Sequence, residues 1–171
     1  MTTLTSPVCC VDPTTCCSTT PSPAKIRIEA FYLDSTVCER CRSTLSSLDE
    51  ALTLLKPILD LAGVPFTVHR IHIDSLALAK RHRFVSSPTI RVNGHDVAEG
   101  ITENSCQQCG DLCGDQVTCR TFSYRGRTTT ELPAGLIVEG VLREWISPKP
   151  SSKDQPYEVP ENLRRFFHDI G

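Results

Sequence analysis

The sequence predicts an α/β fold with a mixed sheet and helices on both faces, and three observations predict it. A strand, a long helix and a second strand follow one another between residues 25 and 73, which reads as a right-handed parallel crossover. The stretch "PTIRVNGHDVAEG" (88–100) then reads as an antiparallel hairpin, because Asn93-Gly94 suits a type I′ turn. A further helix opens after Pro133.

Residues 1–24 are rich in Thr, Ser and Pro and lack apolar periodicity, so they read as a flexible tail that cannot offset its ordering entropy by burial. In "KIRIEAFYL", Ile26, Ile28 and Ala30 alternate before the run Phe31, Tyr32, Leu33, as in a strand buried on both faces. Cys41, Leu45, Leu48, Leu52, Leu55 and Leu59 step by three or four along the long helix. Pro57 should kink that helix and Gly63 should end it. "PFTVHRIHI" is the second strand, and "DSLALAKRHRF" holds a short helix.

After the hairpin comes an insertion, about 101–131, with an extra hairpin around Arg125-Gly126. The last helix of the domain carries Leu136, Ile137, Gly140, Val141 and Trp145 on one face. The division is thus a tail (1–24), a domain (25–146) and a polar, Pro-rich C-terminal tail (147–171) in which "ENLRRFFHDI" could form one or two helical turns.

A formal net charge of −2 with 22% charged residues gives no electrostatic pull toward nucleic acid or an anionic membrane. There is no run of about 18 apolar residues, and the N-terminus lacks basic and apolar signal regions, so the expected location is the cytoplasm. The ten cysteines are grouped as Cys9, Cys10, Cys16 and Cys17, then Cys38 and Cys41, then Cys106, Cys109, Cys113 and Cys119. In a reducing compartment such grouping points to metal ligation or redox chemistry.

"STVCERCRST" places Cys38 and Cys41 at the start of the first helix, where unpaired N–H groups, the helix dipole, Arg40 and Arg42 favour a thiolate, with Glu39 opposing. Periodicity turns Cys41 toward the sheet and leaves Cys38 in solvent, so Cys38 is expected to attack a disulfide and Cys41 to resolve it. The competing reading is half of a zinc site.

"FVSSPTIRVNG" resembles the motif of thioredoxin-like proteins in which a cis proline precedes a strand beside the dithiol. The resemblance implies a thioredoxin-like fold, a cis bond before Pro88, and a role for Ser87 and Pro88 in binding a dithiol or peptide. More narrowly, "YLDSTVCERC", "FVSSPTIRVNG" and "CGDLCG" are similar to the DF-family (seleno)proteins, whose label implies redox use of a cysteine position. "VCERC" stands in place of thioredoxin's "WCGPC", so partners and potential do not carry over.

The hairpin topology returns the chain after Gly100 toward Cys38. Cys106, Cys109, Cys113 and Cys119 therefore have three readings: a zinc or other thiolate metal site, a relay that exchanges disulfides with Cys38 and Cys41, or a disulfide staple. The vicinal pairs Cys9-Cys10 and Cys16-Cys17 suit soft metals and resemble those of arsenic metallochaperones. His69, His72 and His95 are expected to be solvated or hydrogen-bonded, and "AKRHRF" to be a solvated helix face.

The expected function is a thiol-disulfide oxidoreductase acting on a protein or small-molecule disulfide, with no cofactor needed for the dithiol step and zinc as the candidate ion of the loop. The alternative is a soft-metal or metalloid (zinc, mercury, arsenic) binding or transfer protein without turnover. Neither nucleic acid nor membrane is an expected partner.

Overall fold

The structure is a computed structural model and describes residues 25–113, 117–150 and 156–170. In chain order the elements are β1 (Ile26–Tyr32), α1 (Glu39–Leu61), β2 (Phe66–His72), α2 (Leu76–Arg81), β3 (Thr89–Val92) and β4 (His95–Asp96). They are followed by β5 (Thr102–Ser105), α3 (Gln107–Cys113), β6 (Thr118–Tyr124), β7 (Arg127–Thr129), α4 (Ala134–Ile146) and α5 (Glu161–Ile170).

The main sheet has the order β2-β1-β3-β4. β1 and β2 are parallel, in register from Ile26 opposite Phe66 to Tyr32 opposite His72, while β3 is antiparallel to β1 with Ile28 opposite Val92. The α/β class and the mixed sheet are therefore those expected. Ile26, Ile28 and Ala30 join Leu48, Leu55 and Leu59 of α1 and Ile137 and Val141 of α4 in one core. Phe31, of the opposite parity, turns to Phe84 and Ala79 on the other face. Each fully buried Leu, Ile or Phe contributes about 1.5–3 kcal/mol.

Local chemistry sets the boundaries. α1 runs as a single helix through Pro57 and ends at Gly63, whose φ of +66° lets its N–H reach Asp60 O and the N–H of Val64 reach Leu59 O. These two bonds satisfy carbonyls the last turn leaves open. Asn93 (φ 52°) and Gly94 (φ 89°) both take positive φ, as a type I′ turn requires, and Asn93 also accepts from Arg27 N–H through its side chain at 2.9 Å. Pro133 proves to be the N-cap of α4, one residue before its first turn.

The insertion forms its own sheet, β5-β6-β7. β5, "TENS", is exposed at every position, so no burial pattern marked it as a strand. Arg120 of β6 ties this sheet to the main one. Its side chain is 1% exposed and donates to Asp96 Oδ2 (2.6 Å), Thr89 Oγ1 (3.1 Å) and Gly100 O (2.8 Å).

The C-terminal segment expected as one or two turns on a polar tail is the 10-residue helix α5, which packs on α3 and α2 and buries Leu163 and Phe166. No helix among the described residues is long and apolar enough to cross a membrane.

Candidate metal centre

Three parts of the fold deliver cysteines to one place. Cys38 is the N-cap of α1, in extended conformation, with its carbonyl accepting from Arg42 N–H at 3.1 Å. Cys106 follows β5 directly and Cys109 lies in α3, whose first turn closes as the N–H of Gly110 reaches Cys106 O at 3.0 Å. Cys119 lies on β6, opposite Asn104 of β5. The Sγ atoms of Cys38, Cys106, Cys109 and Cys119 all lie within 4.8 Å of one another, and all four residues are buried.

The sequence placed Cys38 in solvent, and this is corrected: Cys38 is 0% exposed. The helix periodicity considers only what α1 itself turns toward the sheet. It has no knowledge of the insertion and α5, which fold over the head of the helix and enclose Cys38 with Cys106, Cys109, Cys119, Leu163 and Phe166.

The insertion is fastened to α1 by polar contacts. Gln108 Oε1 accepts from Glu39 N–H at 2.9 Å, satisfying a donor the helix terminus would otherwise leave open. Arg40 donates to Asn104 Oδ1 (2.5 Å), Ser105 O (2.8 Å) and Cys119 O (3.3 Å). Ahead of the helix, Asp34 Oδ1 accepts from Thr36 N–H (2.6 Å) and Val37 N–H (2.8 Å) and so shapes the loop that leads into Cys38. Gln108, Asn104 and Asp34 were not singled out from the sequence, and Arg40 was read there only as positive charge beside the thiols, because each acts through a partner distant in the chain or through an ordinary turn.

Cys41 lies beside the quartet but outside it. It is 0% exposed and its Sγ is 3.3 Å from Ser87 Oγ, which also accepts from Leu33 N–H at 3.1 Å. The Ser87–Pro88 bond is cis and both residues are buried. The expected neighbourhood of Cys41, Ser87 and Pro88 is therefore present.

Crowding shapes the thiols' acidity. Hydrogen bonds from Cys106, Cys109, Cys119 and Cys41, in that order, hold Cys38 far below the usual thiol range, with burial opposing. Cys106 is held at about 6, chiefly by Cys109 and Cys119. Cys109 and Cys119 are pushed up, first by their bonds to Cys106, and Cys41 is pushed up, first by its bond to Cys38. The cage of sulfurs thus favours thiolate at Cys38 and Cys106, an arrangement that a cation would complete.

The donor set fits a tetrahedral ion. Metal–sulfur bonds of about 2.3 Å place the sulfurs of a tetrahedral site about 3.8 Å apart. Cys109 and Cys119 already stand at 3.5 Å, and no pair exceeds 4.8 Å. The loop quartet read from the sequence included Cys113; among the described side chains, Cys38 takes the fourth place. Cys113 ends α3 and its side chain lies outside the described residues, as do Cys9, Cys10, Cys16 and Cys17.

Of the histidines, His69 is exposed and His72 bonds through Nε2 to Leu33 O at 2.7 Å, both as expected. His95 is less solvated than expected, held between Glu144 Oε2 (3.2 Å) and Pro150 O (3.1 Å). His82 of "AKRHRF" packs its ring 5.3 Å from that of Phe31.

Fold and site together define an α/β protein with a buried four-thiol cluster at the head of its first helix, able to hold a metal ion or to take part in redox chemistry. The chain belongs to the family described as Domain of unknown function (DUF2703), whose model matches residues 25–141 and so takes in every cysteine of the cluster. No curated protein and no solved structure matches the chain.

Proposed function

We propose that this is a thiolate-metal protein in which Cys38, Cys106, Cys109 and Cys119 hold one soft or borderline divalent ion, zinc being the first candidate. The observation that carries it is four buried sulfurs from three parts of the fold gathered within 4.8 Å. Burying four thiols so closely serves no packing need that smaller or apolar residues would not meet better, whereas a closed tetrahedral thiolate site requires it. The ion would neutralise the thiolates and bind the insertion to the head of α1.

The test is elemental analysis of anaerobically purified, reduced full-length protein. One ion per chain is expected, retained when Cys9, Cys10, Cys16 and Cys17 are replaced by Ser and lost in Cys109→Ser. Protein that takes up no zinc or cobalt under reducing conditions would refute the reading.

A second reading, thiol-disulfide exchange on a protein or small-molecule disulfide in a thioredoxin-like frame, is favoured by the Cys41–Ser87 contact and by the sheet order β2-β1-β3-β4. In it Cys38 forms the mixed disulfide and Cys41 resolves it, so Cys41→Ser should trap a covalent adduct with the substrate.

A further inference from the structure

Cys38 belongs to two groups at once. Its sulfur is one of the four in the cluster, and three residues on in the first turn of α1, at the spacing that makes helix neighbours, stands Cys41, buried in the same cluster. Cys41 supplies no ligand to the quartet. It is nevertheless held next to it by a specific contact, 3.3 Å from Ser87 Oγ, and Ser87 is itself fixed by Arg120 N–H donating to its carbonyl at 2.8 Å. Because Ser87 Oγ accepts from Leu33 N–H, its own hydrogen remains to be donated to Cys41 Sγ. A cysteine present only as a small hydrophobe would need no such partner.

We propose that the Cys38–Cys41 pair is a redox release site for the bound ion: oxidation by a small peroxide joins the two sulfurs, removes Cys38 from the ligand set and frees the metal. The proposal rests on the thiolate-metal reading above. A small peroxide is the fitting oxidant because both cysteines are 0% exposed, so any oxidant enters through a local opening, and the smallest one needs the least opening. The sulfur of Cys41 attacks the peroxide O–O bond and yields its proton to the departing oxygen, giving a sulfenic acid and water. The sulfur of Cys38 then attacks Cys41 Sγ, the S–S bond forms, and the S–OH bond breaks to release a hydroxide. Two cysteines lose two electrons in total, the peroxide gains them, and after protonation two waters leave. Cys106, Cys109 and Cys119 remain as three thiolates with an open coordination position, and a dithiol reductant restores the site.

The experiment loads full-length protein with zinc, adds hydrogen peroxide, follows free zinc with a chromogenic chelator and maps disulfides by peptide mass. Wild-type protein should release its ion as a Cys38–Cys41 disulfide appears, and Cys41→Ser and Cys41→Ala should each bind one zinc but release it roughly tenfold more slowly or less. Release from both variants at the wild-type rate, or wild-type disulfides that omit the 38–41 link, would overturn the proposal. Variants that bind no zinc before peroxide is added would make Cys41 a ligand and overturn it too. Wild-type protein that takes up no zinc refutes the metal centre and the switch together, whereas zinc uptake with unchanged release from the variants refutes the switch alone.

Discussion

The guanidinium of Arg40, on the first turn of α1, donates to the carbonyl of Cys119 on β6 at 3.3 Å, while its other bonds go to Asn104 and Ser105 of β5. One side chain therefore sets the position of a cluster cysteine from outside the cluster. Arg40→Gln should lower stability by about 1–2 kcal/mol, the worth of charge-assisted bonds in a partly exposed setting. It should also hasten loss of the ion to a chelator, as read by urea unfolding and chelator competition.

Arg120 joins the insertion to the main sheet through Asp96, and its Nε has no hydrogen-bond partner among the described residues. Arg120→Met should cost about 3 kcal/mol, near the low end for breaking a buried pair, because Asp96 is 29% exposed and regains some water. Adding Asp96→Asn should recover part of that loss in a denaturant series, and additivity of the two changes would argue against coupling.

Phe166 of α5 is 3% exposed and packs in the same cluster as the cysteines. Phe166→Ala should cost about 3 kcal/mol or undock α5. Either way, labelling of the reduced, metal-free thiols by a water-soluble thiol reagent should become faster than in wild-type protein.

Burial alone would raise the Asp34 carboxyl, but bonds from Val37 N–H and from the hydroxyl and N–H of Thr36, with the charge of His72, outweigh it and hold the group below 3.8. A carboxylate with a depressed pKa contributes stability above its unfolded value, and that contribution is lost as pH falls through the folded value. Asp34→Asn should therefore destabilise at neutral pH and reduce the loss of stability that wild-type protein shows on acidification below about pH 4. Thermal melts across that range decide it.

Much of the frame was legible because it rests on local signals. The parity of Ile26, Ile28 and Ala30, the leucine spacing of α1, Gly63 and Asn93-Gly94 each act through neighbours a few residues away. The return of the chain toward Cys38 also followed from strand direction, since β3 runs away from the head of α1 and the insertion comes back to it. The composition of the site was harder. β5 has no buried face, α3 is a 7-residue helix containing Gly110, and the covering role of α5 depends on where Leu163 and Phe166 land. The place of Cys38 in the quartet could not be read from spacing, because spacing within one segment carries no information about a thiol supplied from another.

The contact of Gln108 with Glu39 bridges 69 residues of chain. An ion shared by Cys38 and the cysteines on either side of Gln108 closes a loop of similar length, and the entropic worth of closing such a loop in the unfolded chain is about 4 kcal/mol. Metal loading should therefore be felt less in the four-stranded sheet than in how long the insertion remains docked. With the ion removed, amide exchange should quicken first along β5, α3 and β6, as a separate unit of opening, while β1, β2 and β3 keep their protection.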